Sequence, residues 1–128
     1  MDPANLKYSK THEWVAVEGD VATIGISDFA VHLLSDLVYA DLPPLGKQIT
    51  QGQTFGEVES VKAVSDLYAP VSGVVVGRND KLPDNLDLLT SSPFDGGWMI
   101  KVQLSNPGEL SSLMNQTSYQ AHCDSEKH

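Results

Sequence analysis

A mainly β fold with two or three short helices is the architecture that this sequence predicts. Short runs rich in β-branched and aromatic residues recur along the chain, and glycine or proline punctuates them. Only a few short segments space their apolar residues as a helix does. With 128 residues the chain is long enough for one domain around a single core, but short for two. We therefore expect a compact β sandwich or flattened barrel decorated by helices.

The N-terminal part of the chain predicts a β hairpin. Runs rich in valine and isoleucine at residues 14–17 and 21–26 lie on either side of Gly19. Glycine accepts the positive φ that a short hairpin loop needs. The leader before these runs, residues 1–10, is polar and shows no such pattern.

One short amphipathic helix follows the hairpin. Ser27 has the position of an N-cap, and Asp28 lies in the first turn, where a carboxylate is favoured. Residues 37–42 form the next predicted strand, which Pro43 and Pro44 end because neither has an N–H for the ladder. The apolar positions assigned to the helix are Phe29, Ala30, Leu33, Leu34 and Leu37.

The middle of the chain predicts a series of short strands and tight turns. Glycine marks the turns because it tolerates the backbone conformations that they require. Leu86, Leu88 and Leu89 indicate a short helical turn after this series. The predicted strands lie at about residues 47–50, 54–60, 63–69 and 71–76, with turns at Gly46, Gly52, Gly73 and Gly77.

The C-terminal part predicts one strand and one helix. Residues 98–104 alternate most clearly, with Trp98, Ile100, Val102 and Leu104 on the buried face. In the segment 106–109 an asparagine N-cap precedes a proline at the first helical position and a glutamate at the third. Leu110, Leu113 and Met114 give this helix an apolar stripe. We expect a single domain over residues 1–119 and a polar, flexible tail over residues 120–128.

Composition restricts the classes of function. With a formal net charge of -9, the chain would be repelled by nucleic acid and by anionic membranes, so we expect neither as a partner. No apolar run approaches the ~20 residues that span a bilayer, and the first ten residues show no targeting pattern. We expect a protein of the bacterial cytoplasm or, as a processed form, of the mitochondrial matrix. The single Cys123 has no second cysteine for an internal disulfide.

The segment Glu57–Asp66 contains the candidate functional residue, Lys62. Valine-rich runs framed by glycine and proline lie on both sides of it, which predicts two strands joined by a tight turn with the lysine at the tip. The residues Glu59-Ser60-Val61-Lys62-Ala63 and Tyr68-Ala69-Pro70-Val71-Ser72-Gly73 closely resemble the signature around the modified lysine of the lipoyl-bearing H-protein family of the glycine cleavage system. The resemblance covers roughly residues 8–119.

This resemblance implies a fold and a function. The fold is the lipoyl-domain-like barrel-sandwich hybrid with short helices, including a C-terminal helix. The function is that of a non-catalytic carrier, expected to be monomeric, with lipoic acid bound covalently to Lys62. It would carry the aminomethyl group of glycine between the glycine decarboxylase (P protein), the aminomethyltransferase (T protein) and dihydrolipoyl dehydrogenase (L protein). Glu59 and Gly73 would be recognised by the lipoate-attaching enzyme.

The resemblance also implies that the loaded arm docks on the carrier itself. The dock would involve the segment before Trp14 and the strand after the lysine. These offer Thr11, Glu13 and Asp66 as polar partners for the ammonium group of the cargo. The alternative is that Glu13 and Asp66 are ordinary solvated acids.

Three other functions are open alternatives. A biotin carrier shares the hairpin but resembles Met-Lys-Met at its tip, whereas Val61 and Ala63 flank the lysine here. An enzyme is a second alternative, although the four histidines show no metal-ligand spacing with carboxylates or Cys123. His12 beside Glu13 is either an acid–base pair or a polar pair at a strand edge, and the second interpretation is favoured. An unmodified interaction module with an acidic surface is the third alternative.

Overall fold

The computed structural model describes residues 6–34, 37–61, 64–82, 85–92, 94 and 96–126. Within this part of the chain a short strand in the leader and a helix after residue 115 were not predicted, and the other elements follow the predicted order. Their bounds are β1 Lys7–Tyr8, β2 Glu13–Glu18, β3 Val21–Ile26, α1 Asp28–Leu34, β4 Leu37–Asp41, β5 Gln48–Ile49, β6 Thr54–Ser60, β7 Val64–Tyr68, β8 Gly73–Arg78, α2 Asp87–Ser91, β9 Ile100–Leu104, a 3₁₀ helix Pro107–Ser112 and α3 Gln116–Glu126.

Two antiparallel sheets form the framework. The larger sheet has the strand order β1-β2-β3-β9-β8-β5, and the smaller has the order β4-β6-β7. Apolar side chains from both sheets form one core, to which Val15, Ile100, Val58 and Leu67 contribute. The predicted mainly β fold with short helices, including one at the C terminus, is confirmed. In the described part of the chain no helix is long and apolar enough to cross a membrane.

The N-terminal hairpin and the first helix form as predicted. Strands β2 and β3 pair along their whole length, and Gly19 between them has a φ of 63°. Ser27 caps α1, because its Oγ accepts the N–H of Ala30 at 3.2 Å. The helix is shorter than its apolar pattern indicated, since Leu37 begins β4 instead.

Two of the four predicted turn glycines are not in turns. Gly46 and Gly52 have φ values of 86° and 85°, as turns of this kind require. Gly73 and Gly77 instead lie within β8, so the turn assignment was wrong for both. The strand predicted at residues 71–76 accordingly runs from Gly73 to Arg78. The close approach of β9, described below, explains the glycine at position 73.

Strand β9 is shorter than its alternating pattern predicted. It begins at Ile100, and Met99 before it is fully buried in the main core, which breaks the alternation. Ile100 and Val102 are buried as expected, whereas Leu104 is only half-buried. Trp98 packs instead against a second apolar cluster, on the other side of the larger sheet, which includes the buried Tyr8, Trp14 and Tyr119.

The C-terminal region departs most from the prediction. Asn106 caps the next helix, since its Oδ1 accepts the N–H of Gly108 at 3.2 Å, but the segment is a 3₁₀ helix and ends at Ser112. Residues 120–126 continue α3 rather than forming an irregular tail, and Cys123 is buried. The predicted domain end at residue 119 therefore falls inside a helix, and residues 127–128 lie outside the described part.

The second apolar cluster explains why α3 packs against the larger sheet. Its buried members are Leu6, Tyr8, Trp14, Tyr119 and Cys123, so it joins β1 and β2 to α3. Because side chains alternate along a strand, β2 directs Trp14 into this cluster and Val15 into the main core. This packing places α3 beside the turn between β1 and β2.

Candidate functional site

The β6–β7 hairpin contains the candidate lysine between its strands. Among the described residues Glu59 and Val64 are the pair nearest to the end of the hairpin, and the two strands are antiparallel. Lys62 and Ala63 lie outside the described residues. Val61 and Val64 on either side of them are 70% and 54% exposed. The two strands predicted around Lys62 are confirmed, and the position of the lysine at the tip stays a prediction.

The outward face of this hairpin is acidic. Glu59 is half-buried and lies opposite Val64 on the neighbouring strand. In the next row Asp41, Glu57 and Asp66 lie opposite one another on β4, β6 and β7. Like charges in facing positions repel one another. This face therefore favours contact with a cationic surface.

Gly73 lies where two strands approach too closely for a side chain. It pairs with Leu104 of β9, and an added Cβ would lie 2.1 Å from the backbone oxygen of Gln103 and 2.5 Å from Cγ1 of Val102. Contacts this short require the backbone to move. The packing of β8 on β9 is thus a sufficient structural reason for this glycine, and its recognition by an attaching enzyme stays a prediction.

Glu13 is a buried carboxyl group at the start of β2. It is 1% exposed, and its Oε1 accepts hydrogen bonds from the hydroxyl groups of Ser9, at 2.7 Å, and Thr11. Its Oε2 lies 3.4 Å from the backbone N–H of Tyr68 on the other sheet. Burial raises the pKa of Glu13 to about 7, although these hydrogen bonds oppose the rise. Glu13 is thus not an ordinary solvated acid.

Asp66 differs from Glu13 in its surroundings. It is exposed, and it lies on β7 two residues before Tyr68. In the described part of the chain the hydrogen-bond partners of Glu13 include Thr11 but not Asp66. The structure thus brings two of the three candidate docking residues into direct contact and leaves the third on the solvent side.

Among the described residues, the hydrogen bonds seen for His12 and for the carboxyl group of Glu13 go to different partners. Nδ1 of His12 lies 2.8 Å from the hydroxyl of Tyr119 in α3, whereas Glu13 binds Ser9 and Thr11. Across the described residues no group of three or more histidine, cysteine, aspartate or glutamate side chains is placed to hold a metal ion.

Comparison with known proteins decides the family. A profile described as "Glycine cleavage H-protein" matches residues 6–126. The chain belongs to this family. The glycine cleavage system H protein of Alcanivorax borkumensis is 51% identical over 124 residues, which are 97% of each chain. The mitochondrial glycine cleavage system H protein of Oryza sativa subsp. indica is 51% identical over 94% of this chain and 74% of that protein.

A solved structure supports the same assignment. The crystal structure of a glycine cleavage system H protein from Mycobacterium marinum has a TM-score of 0.85 with this chain. The two share 36% sequence identity, over 94% of this chain and 97% of that one. The resemblance predicted from the residues around Lys62 is therefore confirmed. The H-protein family is the lipoyl-bearing carrier component of the glycine cleavage system, so the other components of that system are implied as partners. Both bacterial and mitochondrial proteins belong to it.

Two hydrogen-bond partners of Glu13 in this H protein were not predicted from the sequence. Ser9 lies in a polar leader, and only the turn that folds it back onto Glu13 makes it a hydrogen-bond donor to that carboxyl. Tyr68 contributes its backbone N–H, which no side-chain pattern reveals. A serine four residues before the buried glutamate is the only sequence signal that either group offers.

Proposed function

We propose that this chain is the lipoylated carrier of a glycine cleavage system, with the lipoyl group attached to Lys62. The family match over residues 6–126 carries the proposal, because Lys62 falls within it, between the paired strands β6 and β7. The exposure of Val61 and Val64 supports it, since an attachment point must be reached by several enzymes. The chain itself would act as a carrier and not as a catalyst.

A lysine in a hairpin suits this role for a chemical reason. Its primary amine on a flexible four-carbon stem can be acylated, whereas the delocalised guanidinium of arginine is a poor acyl acceptor. When bound, the lipoyl group supplies a disulfide that takes up the aminomethyl group of glycine on sulfur and is later regenerated by oxidation. The paired strands hold the start and the end of the loop, so the modified lysine would be presented at a defined place.

Recognition by the lipoate-attaching enzyme would use Glu59 and Gly73 differently. Glu59 is half-buried on the outward face and lies directly opposite Val64, so its carboxylate is near the lysine in the chain and accessible to a partner. Gly73 is buried against β9. We infer that Glu59 contacts the enzyme and that Gly73 contributes through the shape of β8.

Glu13 and Thr11 would bind the amine of the aminomethyl cargo while the carrier is not bound to an enzyme. The cargo amine is cationic at neutral pH, and an ammonium group beside a carboxyl group favours its ionised form. A carboxyl group whose pKa is about 7 would thus ionise as the cargo arrives. Among the described residues Oε2 of Glu13 has the long contact to Tyr68 as its hydrogen bond, so it retains the capacity to accept another. Asp66 would add a second negative charge on the solvent side.

The proposed cycle involves three partner enzymes. The carrier would take its cargo from the P protein, deliver it to the T protein and be reoxidised by the L protein, in the bacterial cytoplasm or the mitochondrial matrix. Tethering the cargo raises its effective concentration at each enzyme. A net charge of -9 would steer the carrier toward basic surfaces near the active sites of these enzymes.

Intact-mass measurement tests the attachment site. The wild-type protein, Lys62→Arg and Lys81→Arg are each incubated with a lipoate-attaching enzyme, ATP and lipoate. We expect one lipoyl mass on the wild type and on Lys81→Arg, which removes an exposed lysine elsewhere, and none on Lys62→Arg. A lipoyl mass on Lys62→Arg, or none on the wild type, would contradict the proposal.

A further inference from the structure

A hydrogen-bond network links the C-terminal helix to the turn that precedes Glu13. The hydroxyl of Tyr119 lies 2.8 Å from Nδ1 of His12 and 2.5 Å from Oγ of Ser27. Tyr119 and Ser27 are buried. The ring of Tyr119 also stacks on Tyr8, with 4.4 Å between the ring centroids. One side chain of α3 therefore contacts β1, the turn before β2 and the start of α1.

His12 is the strained residue of that turn. Its φ of 78° lies in the left-handed region, which residues with a side chain rarely adopt. Its N–H donates to the backbone oxygen of Ser9 at 3.1 Å, and its carbonyl accepts the N–H of Ser27 at 2.9 Å. The bond to Tyr119 holds its side chain. Strain of this kind persists only where the surroundings fix the residue in several ways at once.

The backbone conformation of His12 sets the direction of Glu13. Glu13 enters β2 on the same face as Val15, toward the main core, and Trp14 lies on the opposite face. From this position the carboxyl group of Glu13 reaches the N–H of Tyr68 on the other sheet. If His12 relaxed to a negative φ, the peptide that follows would rotate and carry the carboxyl group away from these partners.

We propose that Tyr119 and His12 are positioning residues for Glu13, so that the C-terminal helix sets the geometry of the carboxyl group that receives the cargo. In this role Tyr119 acts on Glu13 through His12 and not through a contact with the arm. The role in docking rests on the function proposed above, whereas the effect on the Glu13 carboxyl group itself does not.

The test removes one hydroxyl group and follows Glu13 directly. Tyr119→Phe keeps the ring that stacks on Tyr8 but loses the bonds to His12 and Ser27. Burial raises the pKa of the Tyr119 phenol far above its usual value, so the hydroxyl stays protonated throughout the titration. The pKa of Glu13 is measured from its own side-chain ¹³C carboxyl signal in the unlipoylated protein.

We expect the pKa of Glu13 to fall from about 7 by roughly one unit or more in Tyr119→Phe, because burial is the main cause of its elevation and a loosened turn would hydrate the carboxyl group. Tyr39→Phe, which removes the hydroxyl of an exposed tyrosine, is the matched control. An unchanged pKa of Glu13 in Tyr119→Phe overturns the inference. If that variant is too unstable to titrate, His12→Ala removes the same hydrogen bond, and the same criterion applies.

A second substitution that restores the pKa of Glu13 would distinguish a positioning role of Tyr119 from a general loss of stability. Glycine adopts a positive φ without strain, so adding His12→Gly to Tyr119→Phe should return the pKa of Glu13 toward the wild-type value. A further fall in the double variant would overturn the route through the backbone of His12.

The loaded protein distinguishes the two proposals. If the pKa of Glu13 falls in Tyr119→Phe and the loss of cargo becomes about tenfold faster, both are supported. If the pKa falls and the rate of cargo loss is unchanged, Tyr119 is a positioning residue and the docking function of Glu13 is wrong.

Discussion

The carboxyl group of Glu13 connects the two sheets, because it extends from β2 to the backbone N–H of Tyr68 in β7, with 3.4 Å between Oε2 and the nitrogen. Both groups are at strand ends, beside the core. A titratable side chain in this position makes the packing of the two sheets sensitive to pH.

We expect the free energy of unfolding to depend on pH through Glu13. Its pKa is about 7 in the folded protein against 4.5 for the ordinary side chain. A raised carboxyl pKa gives a contribution that is fully present below the unfolded value and lost as pH rises through the folded value. Between about pH 5 and pH 8 the wild type should therefore lose roughly 2 to 3 kcal/mol more than Glu13→Gln.

Urea unfolding of both proteins across this pH range measures the difference. Glu18→Gln, which changes an exposed glutamate of the same strand, is the matched control. Parallel stability curves for the wild type and Glu13→Gln would show that Glu13 does not titrate as its burial predicts.

The proposed dock predicts different effects for its two acids. In Glu13→Gln, cargo should be lost about tenfold faster from preloaded protein, because a charge-assisted hydrogen bond in a buried site contributes roughly 1.5 to 3 kcal/mol. Asp66→Asn should have a smaller effect, since Asp66 is exposed. The rate of release of ammonia and formaldehyde measures the loss, with Asp20→Asn as an exposed control. Equal rates in the wild type and in both dock variants would rule out docking at these acids.

Gly73→Ala should destabilise the fold. The added Cβ would lie 2.1 Å from a backbone oxygen of β9, which cannot move as a side-chain tip can. We expect a loss of about 1 to 3 kcal/mol on thermal or urea unfolding. Gly77→Ala is the internal comparison, because the nearest atoms to its Cβ would be those of the Lys101 side chain, at 3.2 Å and beyond, and the change should cost less. A smaller loss at position 73 than at position 77 would contradict the packing argument.

Glu109 should stabilise the attachment of the 3₁₀ helix to the sheets. Its two carboxylate oxygens accept the N–H of Ser72 at 2.7 Å and the hydroxyl of Ser72 at 2.8 Å. Glu109→Gln offers only one acceptor oxygen, so we expect a loss of about 1.5 kcal/mol. A double-mutant cycle with Ser72→Ala should be non-additive, because the hydroxyl of Ser72 is a direct partner of the side chain at position 109. Additive losses would show that the two side chains act independently.

Association with the partner enzymes should weaken as salt rises. An acidic carrier is steered by opposite charge, which salt screens over ~8 Å at physiological ionic strength. The apparent KM of the decarboxylase for this protein should increase with salt. The effect of salt on the enzyme itself is measured with glycine as the varied substrate and subtracted. A constant KM would argue against electrostatic steering.

The sequence predicted the elements whose signals are local. Strand β6 has the predicted bounds of residues 54–60, and Ser27 caps α1 as its position indicated. Lys62 was identified through a motif of neighbouring residues, and the family match confirmed the resemblance that this motif suggested. Alternation, capping and short motifs involve residues close in the chain, so each can be recognised without knowing the rest of the fold.

The tertiary structure decided the features that depend on distant residues. From the sequence, Gly73 was assigned to a turn. Only the close approach of β9 shows why a strand requires glycine at this position. Residues 120–126 are polar on average, yet they form a helix because Cys123 and Tyr119 pack against β1 and β2. Glu13 looks like a surface acid in the sequence. Its burial, and hence its pKa, arises from the meeting of two sheets and a turn, which brings Tyr68 to it from 55 residues along the chain.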